Sequence, residues 1–138
     1  MRHLKLRIGV IILTGLDLLS KYVFYNLKYL DGTTLIRPAL NKGISRSLPV
    51  PFFIIISISI LGIAAFIRLF AKRKVNRSIA AVLIAGTIGN LADRIIYGGV
   101  RDFINIHIFN FPIFNLADTM LCIGVGIRIL VLMLEKKK

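Results

Sequence analysis

The chain has no tryptophan, a single cysteine, two histidines and only six acidic residues among its 138. With Cys122 as the sole thiol, no internal disulfide can form. A lone thiol inside an apolar stretch reads as packing, so cysteine usage carries no information on compartment. His3 and His107 have no metal-ligand neighbours, and neither H-E-x-x-H nor G-x-S-x-G occurs. Metalloprotease and serine-nucleophile chemistry are therefore unsupported, and no metal or organic cofactor is implied. Internal repeats and low-complexity segments are missing too.

What is abundant is apolar: 57% of the residues are hydrophobic, a composition foreign to soluble domains. Four apolar stretches run at 8–27, 50–70, 78–97 and 114–134. Each is about 20 residues, enough to cross a hydrocarbon core of roughly 30 Å. The expected fold is an all-α membrane protein, a single domain over 1–138, with four transmembrane helices. The first span begins with charge, as a signal peptide does. Asp17 and Lys21 interrupt it, however, and no A-x-A-like site follows, so it reads as a retained helix.

A net charge of +13 raises nucleic acid as a partner, but the basic residues are distributed as topology signals. Eleven of them (Arg2, Lys5, Arg7, Arg68, Lys72, Arg73, Lys74, Arg77 and Lys136 to Lys138) fall on one side of the predicted spans. Lys28, Arg37, Lys42, Arg46 and Arg101 fall on the other. The excess predicts both termini in the cytoplasm and no nucleic-acid role.

The two connections on the far side are informative. The 26–49 loop is long for so small a protein, and Asp31-Gly32 is a hairpin turn signal, so a small extracytoplasmic β element is expected there. Pro49 and Pro51 precede span two, where proline suits a first turn. In the 98–113 connection, Gly98-Gly99 ends span three. The alternation of Ile104, Ile106 and Ile108 with Asn105 and His107 predicts an extended interfacial segment. Phe109, Phe111 and Phe114 then form an aromatic belt.

The scarce acids cluster. Asp93, Asp102 and Asp118 lie within 26 residues of one another. Asp93 is 16 residues beyond Arg77, roughly 24 Å across the bilayer, and Asp118 is 18 residues before Lys136, roughly 27 Å. Both reach the same depth near the external face, and Asp102 can fold back to that level. Carboxylates at a membrane boundary are costly to dehydrate and need a partner or a task. Two that share a proton can split an amide with water. The alternative is structural, each acid serving as a helix cap or an interfacial salt bridge. Sequence physics alone does not choose which two of the three would act.

Further charges lie within the spans. Asp17 and Lys21 form an i,i+4 pair in the favourable order, acid first, with Lys21 able to snorkel outward. Arg128 lies roughly 12 Å deep on span four. Either Asp17 or a neighbouring polar group compensates it, or it snorkels to the cytoplasmic surface.

Five motifs in order along the chain resemble the bacterial lipoprotein signal peptidases (signal peptidase II). They are Asp17-Leu18-Leu19-Ser20-Lys21, Asn41-Lys42-Gly43, Gly89-Asn90-Leu91-Ala92-Asp93-Arg94, Val100-Arg101-Asp102-Phe103-Ile104, and Phe114-Asn115-Leu116-Ala117-Asp118. The resemblance implies an aspartic endopeptidase with Asp102 and Asp118 as the catalytic pair. It implies substrate contacts from Asn41, Asn90, Arg94 and Asn115, and support from Asp17, Lys21, Gly43 and Asp93, the last beside Arg94. The implied substrate is a diacylglyceryl-modified prolipoprotein, cut immediately before the lipidated cysteine to release its signal peptide. One departure stands out: Arg46, within Ile44-Ser45-Arg46-Ser47, occupies a position where the family usually has an aromatic residue. Expected partners are the signal peptide and membrane lipids, with the enzyme working as a monomer in the bacterial cytoplasmic (inner) membrane, its active site near the extracytoplasmic face.

Two other readings compete. A small four-helix proton- or cation-coupled transporter would use Asp17 and Lys21 as its ion site and the remaining acids as gates. A non-catalytic scaffold would tolerate replacement of the acids altogether.

Overall fold

Each of the four apolar stretches forms a helix long and apolar enough to cross a membrane. In this computed structural model, which describes residues 1–43, 50–108 and 111–135, α1 spans Arg2–Lys21, α2 Phe52–Ala71, α3 Arg77–Tyr97 and α4 Leu116–Glu135. Two short strands, β1 (Ile36–Asn41) and β2 (Val100–Ile104), complete the fold. Ile44 to Pro49, with Arg46 and Pro49 among them, lie outside the described residues, as do Phe109 and Lys136 to Lys138.

The helices begin earlier or later than the apolar stretches because caps, not hydropathy, fix helix ends. α1 starts at Arg2 and runs on beyond Lys21 as a π-helical turn, Tyr22–Asn26. Pro51 immediately precedes α2, where its missing N–H removes nothing from the helix. Asn76 caps α3, its side chain accepting the Ile79 N–H at 2.9 Å. Gly98, at φ +67°, closes α3 in the left-handed conformation that glycine adopts most easily.

α3 is the central element. Of its apolar window 56% is buried, against 11–17% for the other three helices, because α1, α2 and α4 all pack on it. Small residues allow the close approach. A side chain at Gly86 would stand 2.7 Å from the Ala117 carbonyl oxygen, and one at Gly124 would stand 2.7 Å from Leu83. The lower core joins Leu6 of α1, Phe70 of α2 and Val75 of the connection to Ile79, Ala80 and Leu83 of α3.

The strands pair with each other across the sequence. β1 and β2 are antiparallel, with Ala39 opposite Asp102 and Asn41 opposite Val100. A register shift falls between Ile36 and Ala39, where Pro38 has no N–H to give the ladder. The β element expected in the 26–49 loop is therefore present. Its partner, though, is the second connection, and Asp31-Gly32 forms no hairpin. Nor does the extended segment continue to Ile108: β2 ends at Ile104, and His107 takes φ +50°. On its other side β2 bridges to Phe114, whose carbonyl accepts from Ile104 at 2.8 Å while its N–H donates back at 3.0 Å. The chain entering α4 is thereby fastened directly beside the strand that carries Asp102.

Candidate active site

The alternation of β2 sorts its residues into two faces. Arg101 and Phe103 face the helices. The Phe103 ring stacks on Phe24 of the π-helical turn at 5.1 Å. The Arg101 guanidinium lies over Tyr97 and grips Asp93, with Nη2 to Oδ1 at 2.7 Å. Val100 and Asp102 face the opposite way and line a cavity of about 650 Å³ with Asn41, Asn90, Arg94 and Asp118. Much of the rest of its lining is apolar, including Ile58, Gly62 and Phe66 of α2 and Leu121 and Ile123 of α4.

Asp102 and Asp118 meet through Asn115. The Asn115 amide donates to Asp102 Oδ1 at 2.7 Å, and its Oδ1 accepts the Asp118 backbone N–H at 2.9 Å. The Asn115 N–H in turn reaches Asp118 Oδ2 at 3.3 Å, a reciprocal arrangement at the start of α4 akin to a capping box. Asn90, one turn before Asp93 on α3, donates to Asp118 Oδ1 at 2.7 Å and accepts from Asn115 at 3.1 Å. Asn41 at the end of β1 also hydrogen-bonds Asp102, and its Oδ1 accepts the Gly43 N–H at 3.2 Å.

Burial of Asp102, together with the charge of Asp118, pushes its carboxyl up to about 7; the bonds from Asn115 and Asn41 and the more distant Lys21 act in the opposite direction. A carboxyl poised there is roughly half protonated at neutral pH, so it can give or take a proton, as general acid–base chemistry requires. Arg94 lines the same cavity and feels the charges of Asp118, Asp102 and Asp93. Among the described residues it makes no ion pair, which leaves its guanidinium available to a ligand.

Behind this layer lies a second, charged one. Lys21 is fully buried, 2.7 Å from Asp17 Oδ2, 3.5 Å from Asp93 Oδ2 and 3.1 Å from Asn90 Oδ1. Asp17 Oδ1 accepts the backbone N–H of Ala117 at 2.9 Å. Two cations, Lys21 and Arg101, thus balance two anions, Asp17 and Asp93. Among the described residues no group of three or more His, Cys, Asp or Glu is placed to hold a metal ion.

These positions correct several expectations. Lys21 does not snorkel; it points inward. Asp93 is not partnered by its neighbour Arg94 but by Arg101 and Lys21. Asp17 does not compensate Arg128, which instead approaches Glu135 at 3.8 Å. Asn115, expected among the substrate-lining groups, is fully buried behind the two acids, whereas Asn41, Asn90 and Arg94 do line the cavity. Sequence reasoning missed Arg101 as a structural ligand, although strand alternation beside Asp102 already sends its side chain to the opposite face.

Comparison with known proteins points to one family. The model of the family described as Signal peptidase (SPase) II matches residues 9–134. The chain belongs to the signal peptidase II family. It is similar to a lipoprotein signal peptidase of Thermodesulfovibrio yellowstonii, 33% identical over 133 residues that make up 88% of this chain and 89% of that one. Similarity to a lipoprotein signal peptidase of Halalkalibacterium halodurans is higher, 46%, but runs over 90 residues, 63% of this chain and 58% of the relative. A solved bacterial membrane enzyme structure, obtained by the in meso method at 2.3 Å resolution, superposes with a TM-score of 0.78. It is 27% identical, and the match covers 96% of this chain and 89% of that one. Membership of this bacterial family and four spanning-length helices make the chain an integral protein of the inner membrane and a peptidase. The transporter reading is not favoured.

Proposed function

We propose that this chain is an intramembrane aspartyl endopeptidase that removes signal peptides from diacylglyceryl-modified prolipoproteins, cutting immediately before the lipidated cysteine. One observation carries the reading. Asp102 on a strand and Asp118 on a helix are joined through the single side chain of Asn115, and both line a largely apolar cavity of about 650 Å³.

The chemistry follows from the two environments. Asp102, in the neutral form that about half the molecules hold near neutral pH, donates to the scissile carbonyl oxygen. Asp118, held by two N–H donors, takes a proton from a water lying between the carboxyls. The water oxygen bonds to the carbonyl carbon and a gem-diol forms. Collapse breaks the C–N bond, and the departing amine takes its proton from the carboxyl that received one. Asn41, Asn90 and Arg94 are placed to hold the peptide backbone, while Asn115 aligns the acids from behind. The apolar wall from α2 and α4 suits a signal helix, and its lipid can remain in the bilayer. The excess of basic residues on one side of the spans supports termini in the cytoplasm and acids at the extracytoplasmic face. The hydrogen-bond network around the acids closes within the described residues of one chain, which supports a functional monomer.

The test is cleavage of a lipid-modified precursor in detergent or vesicles by wild type, Asp102→Asn and Asp118→Asn. Wild type is expected to release the signal peptide, and each variant to lose about 10²–10⁴-fold in rate. Normal cleavage by both variants would eliminate the aspartyl mechanism.

A further inference from the structure

We propose that Lys21 is a positioning residue for the carboxyl pair, acting through Asn90 to hold an amide donor against Asp118. This rests on the aspartyl reading given above and extends it to a residue that touches neither acid.

The argument is one of donor and acceptor types. An ammonium group has donors only. Lys21 directs them at Asp17, at Asp93 and at the side-chain oxygen of Asn90, 3.1 Å away. That same oxygen accepts a second hydrogen bond, from Asn115 at 3.1 Å. With two donors aimed at one side of its amide, Asn90 cannot turn over, since its NH₂ would then meet an ammonium and another NH₂. The NH₂ is therefore committed to Asp118 Oδ1, 2.7 Å away. A donor held there favours the carboxylate as acceptor. Asp118 also lies in the first turn of α4, where the helix dipole favours negative charge.

Charge alone does not account for Lys21. The cluster behind the acids contains Asp17 on α1, Asp93 on α3 and Arg101 on β2, so the lysine is already neutralised within it. Around the acids themselves stand Arg94 on α3 and the uncharged Asn41 and Asn115. What Lys21 delivers to the site is an amide orientation. Asp17 assists by holding Ala117, the residue before Asp118, through a bond from another helix.

The experiment uses the full chain and a lipid-modified precursor, with rates expressed per folded molecule. The double variant Asp17→Asn/Lys21→Met removes the cation and its paired charge together, yet leaves an amide oxygen to accept from Ala117. Lys21→Gln keeps a neutral donor in reach of Asn90 but strands the Asp17 carboxylate. An orientation lock ranks kcat as wild type, then Lys21→Gln, then the double variant. A purely structural lysine ranks folded yield the other way, with Lys21→Gln lowest, and leaves kcat per folded molecule unchanged. For the double variant we expect kcat lower by about 10–10², KM within about twofold, and a kcat–pH plateau narrower by about one unit. A profile of unchanged width and height per folded molecule would overturn the proposal. So would loss of the folded protein in both variants, which would assign Lys21 to folding alone. A wild-type protein inert toward the precursor would bring down the protease reading itself, a different result from either of these.

Discussion

Asp17 caps a helix one hundred positions away: its Oδ1 accepts the backbone N–H of Ala117 at 2.9 Å. The first N–H groups of a helix have no partner within it, and inside a membrane bundle water is not at hand to supply one. An acid on α1 fills that gap for α4, and its other oxygen pairs with Lys21 at 2.7 Å. Removing Asp17 would strand both a buried ammonium and a helix terminus. Asp17→Leu should destabilise the protein by about 3–5 kcal/mol. Asp17→Asn should lose distinctly less, because an amide oxygen still accepts from Ala117. Unfolding in detergent micelles measures both, and equal losses would mean that the cap contributes nothing.

The environment of Asp102 predicts a stability that varies with pH. Its carboxyl ordinarily titrates at 3.8 and is pushed up to about 7 in the folded protein, chiefly by burial and then by the charge of Asp118. The folded state therefore binds this proton more tightly than the unfolded chain does. The group's contribution is most favourable below 3.8, declines as pH rises through the interval to 7, and levels off above it. The full span corresponds to something on the order of 4 kcal/mol. Asp102→Asn keeps the shape and loses the titration. The variant should match wild type near pH 4 and become progressively more stable than wild type toward pH 8, while losing activity. Melting curves of the two proteins across that range are the measurement, and a constant offset would contradict it.

The sequence made the helices and the level of the acids legible, for reasons that are local. Twenty apolar residues ended by charge leave few alternatives, and a rise of 1.5 Å per residue puts Asp93 and Asp118 at one depth. The Asp17–Lys21 pair follows from helical spacing. What could not be read were contacts set by register between distant segments. The turn signal at Asp31-Gly32 pointed to a local hairpin, whereas the unpaired N–H and C=O groups of β1 are met by β2, some 60 residues on. Asp93 stands beside Arg94 in sequence, and nothing local reveals that β2 returns Arg101 to it. Long basic side chains ordinarily reach for solvent, whereas Lys21 meets three acceptors inside. Each miss concerns a polar group whose partner lies on another element, in a bundle where such groups must find one.

Close packing of α3 against α4 gives a third prediction. A Cβ at Gly86 would lie 2.7 Å from the Ala117 carbonyl oxygen and 3.0 Å from Leu121. The first contact is backbone and cannot swing aside, so Gly86→Ala must push α4 outward at its N-terminal turn, next to Asp118. A loss of about 1–3 kcal/mol and a clear fall in cleavage rate are expected. Gly126→Ala, on α4 with nothing within 4 Å of the added carbon, should be neutral or gain up to about 1 kcal/mol from helix propensity. Comparable losses in the two variants would show that general crowding, not this contact, is responsible.

The last prediction concerns the rate itself. If Asp102 delivers the proton to the scissile carbonyl, cleavage needs its neutral form. With its carboxyl pushed up to about 7, kcat should hold on the acid side of that value and fall as pH rises through it, approaching about tenfold per unit beyond. An ordinary carboxyl would have lost the capacity to donate some three units lower, so the position of the alkaline limb reads the burial of Asp102 directly. Wetting that site should move the limb. Val100→Ser, at a buried position of β2 lining the same cavity, admits a hydroxyl beside Asp102 and eases its desolvation, and the limb should shift toward lower pH. A fluorogenic lipid-modified peptide followed from pH 5 to 9 provides the profile. A wild-type rate that stays level to pH 9 would remove Asp102 from the role of proton donor.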